Sequence, residues 1–415
     1  MERALLVGLR LKGKNNATAD SSLNELKGLL ETAGGVAEDV WIQERVSRDP
    51  ATLIGKGKVE EIARAVAEKG WGAVVINDDL SPTQQQNLQE HIPAKIIDRT
   101  RLILDIFAQR ARTREGKLQV ELAQMNYLLP RVTEKFGRFE QQVGGIGTRG
   151  PGERKLEISQ RRIRDRIVRL RREIEEVRKQ RALQRENRQR LPMPLVALVG
   201  YTNAGKSTLL NALRENPAGA VYADDKLFAT LDPTTRRARL PSGRAALFVD
   251  TVGFIQHLPH HLVAAFHATL EEARNADLLV HVIDAGSAEW ISQRDVVREV
   301  LKTLAADALP QIELFNKTDA LTAAQRAVHQ RESRLLASAT TGEGLGEFLT
   351  RVEERLDEVL KEREFLVPHA RRDLMPRIHE AGHLLEKIPE AEGTRVRVRL
   401  DEKNWGQLRK ELGLP

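Results

Sequence analysis

The 415-residue sequence contains no cysteine. Disulfide frameworks, thiolate metal sites and cysteine nucleophiles are therefore excluded, which fits a cytosolic chain. It also has no apolar run near the roughly 18 residues that suggest a membrane span. The amino-terminal MERALLVGLR has a short apolar stretch with no secretory layout behind it. Neither a lipidation signal nor a C-terminal cysteine is present. A soluble protein is expected. With 41% hydrophobic residues the length suits two or three domains rather than one core.

What the chain does have is a concentrated positive charge. Residues 154–190 hold fifteen Lys or Arg against six Asp or Glu, a local excess of +9 in a chain whose total is +7. One element thus carries the whole surplus, the footprint of a polyanion contact. A solvated coiled-coil face is the plainer alternative, but such faces mix their charges more evenly.

Periodicity divides the chain. Residues 1–100 alternate apolar runs (ALLVGL, VWIQERV, AVVIN, AKIID) with amphipathic segments, including a Leu23/Leu26/Leu30 stripe and GKVEEIARAVAEKG. They predict a small α/β domain. Residues 101–190 predict a long antiparallel helical hairpin. Its first helix spans 101–135, with Leu118, Leu122, Met125 and Leu129 on one face and a kink or end at Pro130. Its second carries Ile163, Ile167, Leu170, Ile174 and Val177 at alternating spacings of four and three, a seam for one partner helix. The prolines of LPMP end that helix. Residues 191–364 alternate strands and helices, predicting a mostly parallel sheet covered on both faces. Residues 365–415 form a small C-terminal α/β tail ending in strand-like RVRVRL and a brief helix.

Two glycine-rich loops compete for the role of phosphate cradle. GYTNAGKST, residues 200–208, follows the buried strand LVALV and opens a helix, where G-x-x-x-x-G-K-[ST] has to stand to work. The backbone of Gly200, Tyr201, Thr202, Asn203, Ala204 and Gly205 would wrap the phosphates together with the helix start at Thr208. Lys206 would reach the β and γ phosphates and Ser207 would ligate Mg²⁺. The second loop, GGIGTRGPGE, has the spacing G-x-G-x-x-G in Gly145, Gly147 and Gly150. No strand precedes it, Pro151 follows the third glycine, and a basic helix comes next, so it fails as a dinucleotide site. It predicts a flexible hairpin tip, or else a linker. Arg149, with Arg154 and Lys155, would approach an RNA backbone.

Further loops complete a nucleotide site. In DTVG, Asp250 would hold the Mg²⁺ shell through water, Thr251 and Val252 line the turn, and the Gly253 N–H would bind the γ phosphate. In NKTD, the Asp319 carboxylate accepts two hydrogen bonds from guanine N1–H and its amine, donors that adenine lacks at those positions. Asn316 and Lys317 precede it, and Ser338, Ala339 and Thr340 follow the last strand. Between the P-loop helix and the next strand lies FATLDPTTR. There Phe228, Ala229, Thr230, Leu231 and Asp232 form the segment that orders around a triphosphate, with Thr230 the metal-ligating choice and Thr234 and Thr235 its rivals. Lys206, Thr230 and Gly253 are the catalytic candidates. Phe254 stands where many GTPases place a water-orienting glutamine, so slow intrinsic hydrolysis with stimulation by a partner is expected. GKGK at residues 55–58 lacks the spacing of a second phosphate loop.

These motifs, preceded by DRTRLILDIFAQRARTREGKLQVELAQMNYLLPR and GGIGTRGPGE and joined by DTVGFIQHLPHHLVAAFHATLEE, resemble HflX-type GTPases of the TRAFAC class over nearly the whole chain. The resemblance implies a Ras-like P-loop domain that binds GTP and Mg²⁺. It also implies an N-terminal domain and hairpin that contact the large (50S) ribosomal subunit near its peptidyl transferase centre, and splitting of stalled or idle ribosomes. Lys206, Ser207, Thr230, Asp250, Asn316 and Asp319 match the family position by position, and a hydrophobic residue at Phe254 is its habit. RKLE after GPGE departs toward a more basic pair. ATP hydrolysis and RNA unwinding by the N-terminal half have been attributed to this family. A cytoplasmic monomer is expected. The alternatives are an RNA-associated GTPase serving tRNA modification or ribosome assembly, and a nucleotide-bound RNA-binding protein with little turnover.

Overall fold

The computed structural model describes residues 2–13, 16–137, 151–188, 193–213, 227–228, 234–256, 273–358 and 360–413. They form two compact units, one of residues 2–178 with 227, 228 and 256, the other of the remaining described residues.

In the first unit, β1 (Glu2–Leu11), β2 (Gly35–Arg45), β3 (Ala73–Ile76) and β4 (Lys95–Asp98) form a parallel sheet in the order β2-β1-β3-β4. Ala4 to Val7 and the whole of β3 are buried, as continuous apolar runs in a sheet covered on both faces should be. The helices between them are α1 (Asn16–Thr32), α2 (Lys56–Lys69) and α3 (Pro82–His91). Helix α3 has no sequence signal of the periodic kind, since its PTQQQNLQEH carries no apolar stripe. A capping box starts it instead. Ser81 accepts from the Gln84 amide, and the Gln84 side chain accepts from the Ser81 amide.

The helix expected over 101–135 is two helices, α4 (Arg99–Arg110) and α5 (Arg114–Gly137). Asp98 caps α4 by accepting the Arg101 amide at 2.8 Å. Ala111 leaves helical geometry, and Thr113 restarts the chain by accepting the Gly116 amide. Pro130 does not end α5, which continues through it to Gly137. Side-chain bonds on either side hold that turn. Tyr127 donates to Asp98 Oδ1 at 2.9 Å, and Arg131 donates to Asp98 Oδ2, to Gln85 and to the Leu80 carbonyl. Burial raises the Asp98 carboxyl, with the Arg101 amide and Arg131 opposing.

Helix α6 (Pro151–Arg188), which belongs to this unit as far as Arg178, starts with proline at its first position, where the missing N–H costs nothing. Leu118 of α5 packs with Leu170 and Ile174 of α6, flanked by Leu122, Met125 and Val177. Glu121 takes both arms of Arg166 at 2.7 and 2.8 Å. Contacts that advance on α5 as they retreat on α6 make the pair antiparallel, as the seam predicted.

The second unit contains β5 (Leu195–Gly200), β6 (Thr234–Arg239), β7 (Ala245–Asp250), β8 (Leu278–Asp284), β9 (Gln311–Asn316) and β10 (Leu335–Leu336) in the order β10-β9-β8-β5-β7-β6, parallel except for β6. Helices α7 (Lys206–Ala212), α8 (Trp290–Thr303) and α9 (Ala323–Arg331) lie between its strands, and α10 (Leu345–Asp357) follows β10. Phe348, Val352 and Leu356 repeat every four residues on α10 and are all buried. Each contributes about 1.5–3 kcal/mol by leaving water.

The C-terminal tail holds more structure than RVRVRL announced. Strand β11 (Lys361–Pro368) and β12 (His383–Pro389) flank β13 (Gly393–Leu400) in an antiparallel sheet, with α11 (Met375–Ala381) and α12 (Glu402–Leu412) packed on it. Asp357, at the end of α10, pairs with buried Arg244 at 2.9 Å and with His383 Nδ1 at 3.0 Å.

Candidate nucleotide-binding site

Because β5, β7, β8, β9 and β10 run parallel, the loops after them leave the sheet at one end, where open α/β sheets bind ligands. Buried strand β5 delivers GYTNAGKS. Gly205 has φ 89°, and a Cβ there would stand 2.2 Å from Asn316 Nδ2, so only glycine fits. Lys206 is buried, and its ammonium donates to the carbonyls of Tyr201 at 2.8 Å and Gly200 at 3.1 Å. Burial lowers its pKa to about 8, with Asp250 opposing.

Asp250, fully buried at the end of β7, accepts the Ser207 hydroxyl at 2.6 Å. Thr251 is tied down by donating to the Leu198 carbonyl, and Val252 is buried. Among the described residues no group of three or more His, Cys, Asp or Glu could hold a metal alone. A hydroxyl and a carboxylate side by side do suit Mg²⁺, which keeps several waters and takes its other oxygens from phosphates. The donor set therefore fits magnesium only with a nucleotide present.

Gly253 and Phe254 lie against the P-loop. The Thr202 amide donates to the Phe254 carbonyl at 2.8 Å, and the Phe254 amide to the Gly200 carbonyl at 3.1 Å. The Phe254 side chain is buried, in keeping with a packing role.

Asn316, 1% exposed, bridges three loops: its Nδ2 donates to the Ala204 carbonyl at 2.9 Å, and its Oδ1 accepts the Ala339 amide at 3.0 Å. Asp319 is exposed and accepts the Ser338 hydroxyl at 2.6 Å. Lys317 takes a left-handed φ of 64° and pairs with Asp284 at 2.9 Å. Thr340 is exposed. The arrangement therefore brings Gly200–Ser207, Asp250–Gly253, Asn316–Asp319 and Ser338–Thr340 together. Phe228 belongs to the first unit, its ring edge-on to Phe107 at 4.7 Å. Thr234 and Thr235 lie on β6.

Ala229, Thr230, Leu231 and Asp232 lie outside the described residues, as do Arg149 and the three glycines of its loop. Arg154 and Lys155 fall in the first turns of α6. Further along α6, Arg161, Arg162, Arg164, Arg169, Arg171 and Arg172 are exposed. Asp284, Arg326 and Glu343, absent from the motifs, bond to the loops rather than belonging to them. Helix α9, which carries Arg326, starts beside NKTD with a capping box between Thr322 and Gln325.

Sequence models of known families match in series. They are the GTP-binding GTPase N-terminal region (residues 20–108), the GTP-binding GTPase middle region (110–188), the 50S ribosome-binding GTPase (195–317) and the HflX C-terminal domain (323–415). The chain belongs to the HflX family of GTPases. The GTPase HflX of Caldanaerobacter subterraneus subsp. tengcongensis is 45% identical over 96% of this chain and 90% of its own length. That of Escherichia coli strain K12 is 42% identical over 94% of this chain and 92% of its own. Among solved structures, a GTP-binding protein from the archaeon Sulfolobus solfataricus in complex with GDP is 22% identical, covering 86% of this chain and 99% of that one with a TM-score of 0.46. The HflX family accounts for guanine nucleotide binding and, in general terms, for GTP hydrolysis. No helix among the described residues is long and apolar enough to cross a membrane.

Proposed function

We propose that this HflX-family chain hydrolyses GTP to GDP and phosphate in a Mg²⁺-dependent reaction, slowly alone and faster on the large ribosomal subunit, and that it splits or rescues stalled or idle ribosomes. The observation that carries the nucleotide part is the Asn316 bridge, which ties the P-loop to the NKTD and SAT loops and leaves Asp319 exposed beside them. In this reading Lys206 exchanges its two carbonyl partners for the β and γ phosphates. Ser207 and Thr230 would hold Mg²⁺, with Asp250 reaching it through water. The Gly253 amide meets the γ phosphate, and Asp319 reads guanine. The metal, when bound, neutralises charge on the phosphates.

The exposed arginines of α6 support a contact with ribosomal RNA, to which we assign Arg149, Arg154 and Lys155 as well. We divide the chain into an N-terminal domain (1–100), a hairpin (101–190), a GTPase domain (191–364) and a C-terminal domain (365–415), with the first boundary falling inside α4 and the last inside β11, acting as a cytoplasmic monomer. The test is GTP turnover with and without purified large subunits, combined with sedimentation of whole ribosomes. Subunit-stimulated turnover and a shift from whole ribosomes to free subunits are expected. Turnover indifferent to subunits would reject the ribosomal part, and absence of turnover in both conditions would reject the enzymatic part.

A further inference from the structure

The corner of the site that would face the base is closed by two residues outside the nucleotide loops. Arg326, on α9, donates through Nη2 to the Thr318 carbonyl at 3.0 Å, between Lys317 and Asp319. The same guanidinium grips both oxygens of Glu343, one at 3.0 Å and the other more closely. Glu343 follows the SAT loop, and its backbone carbonyl accepts the Ser338 amide at 2.9 Å. Ser338 in turn donates its hydroxyl to Asp319 at 2.6 Å. The bonds therefore close a ring: Asp319 to Ser338, to Glu343, to Arg326, to Thr318 and back along the chain to Asp319.

Two backbone features hold the ring's shape. The Gly342 amide donates to the Ser338 carbonyl at 2.9 Å, winding residues 338–342 into a single turn. Gly344 has φ 73°, and a Cβ there would stand 2.1 Å from the Leu336 carbonyl, so the chain doubles back beneath the SAT loop before α10 begins.

We infer that Arg326 and Glu343 are positioning residues for guanine recognition: the pair joins the NKTD and SAT loops and thereby aims the Asp319 carboxylate. This rests on the reading of Asp319 as the base reader. An ordinary exposed ion pair contributes little, and these side chains are 32% and 50% exposed. Three features set this pair apart. Its geometry is two-pronged, a third bond reaches the backbone beside Asp319, and the partner's own carbonyl holds the hydroxyl donor of Asp319. Lysine could supply only part of that fork.

The test compares the full-length protein's affinity for GDP with that for inosine diphosphate, which lacks the exocyclic amine one Asp319 oxygen would accept. Arg326→Ala should weaken GDP binding by about tenfold but inosine diphosphate binding by only about twofold, so discrimination falls by about fivefold. Glu343→Ala should give the same shift, and the double variant no more than either single change, because both open one ring. Arg326→Lys and Glu343→Gln, which disturb the fold least, should fall between. Turnover at saturating GTP should stay within about twofold of wild type, since no reacting atom is touched. Equal losses for both nucleotides accompanied by a lower melting temperature would overturn the inference, leaving a merely structural ion pair. So would additive effects of the two alanines. Asp319→Asn serves as control. If it leaves discrimination at the wild-type value, the reading of Asp319 itself fails. If it abolishes discrimination while Arg326→Ala does not alter it, only the positioning inference fails.

Discussion

The amide of Thr202 donates to the carbonyl of Phe254 at 2.8 Å. That bond lays the DTVG turn on the P-loop, and it requires a glycine before Phe254. A Cβ on Gly253 would stand 2.7 Å from Thr202 Cα and 3.0 Å from Lys206 Nζ. Gly253→Ala should therefore push the turn off the loop and lower GTP affinity by about tenfold. Titration with a fluorescent GTP analogue checks it, and wild-type affinity would show that the close approach is dispensable.

Lys206→Ala should leave the fold intact and cost at least about a hundredfold in GTP affinity, because the buried cation is lost while the loop backbone remains. Calorimetric titration at matched circular dichroism measures this. Nanomolar binding by the variant would place the phosphates elsewhere.

His281 sits buried in the middle of β8, where burial, with the charges of Arg298, Lys206 and Arg294, pushes its pKa down to about 3. In the unfolded chain it takes up a proton near pH 6.5. Stability should therefore decline as pH falls from about 6.5 towards 3, by up to about 1.4 kcal/mol per pH unit from this residue. Urea denaturation between pH 7.5 and 5 should be less pH-dependent in His281→Leu than in wild type. Superimposable pH profiles would mean that the folded imidazole is protonated after all.

Replacing Arg149, Arg154 and Lys155 with alanine should weaken large-subunit binding and reduce the slope of log affinity against log salt by roughly 2 to 3, since fewer counterions are released. Intrinsic hydrolysis should hold steady while subunit-stimulated hydrolysis drops. Affinities measured at two salt concentrations decide it. Equal values with parallel slopes would leave GGIGTRGPGE a linker.

The P-loop strand, the DTVG turn and NKTD were legible because phosphate and base chemistry demand fixed residue types at fixed offsets. The α5–α6 seam was legible because Leu118, Leu170 and Ile174 keep a helical period. Where structure depends on local polar bonding, periodicity is silent. Helix α3 is held by a Ser81–Gln84 box, and the break before α5 by the Thr113 hydroxyl. Pro130 does not end α5, and the residues on either side of it, Tyr127 and Arg131, bond to Asp98. Arg326 and Glu343 are seventeen residues apart and fit no spacing rule, so only the folded loops reveal them as neighbours.

Helix α10 starts at the glycine that closes the SAT loop and ends at Asp357, which binds both Arg244 and His383. Thirteen residues at 1.5 Å per residue make it a strut about 20 Å long. Its buried face of Phe348, Val352 and Leu356 keeps it from bending. The C-terminal sheet is thus mounted like a pointer on the far end of a stiff rod whose near end touches the SAT loop. A tilt of a few degrees there becomes a displacement of an ångström or more at the sheet.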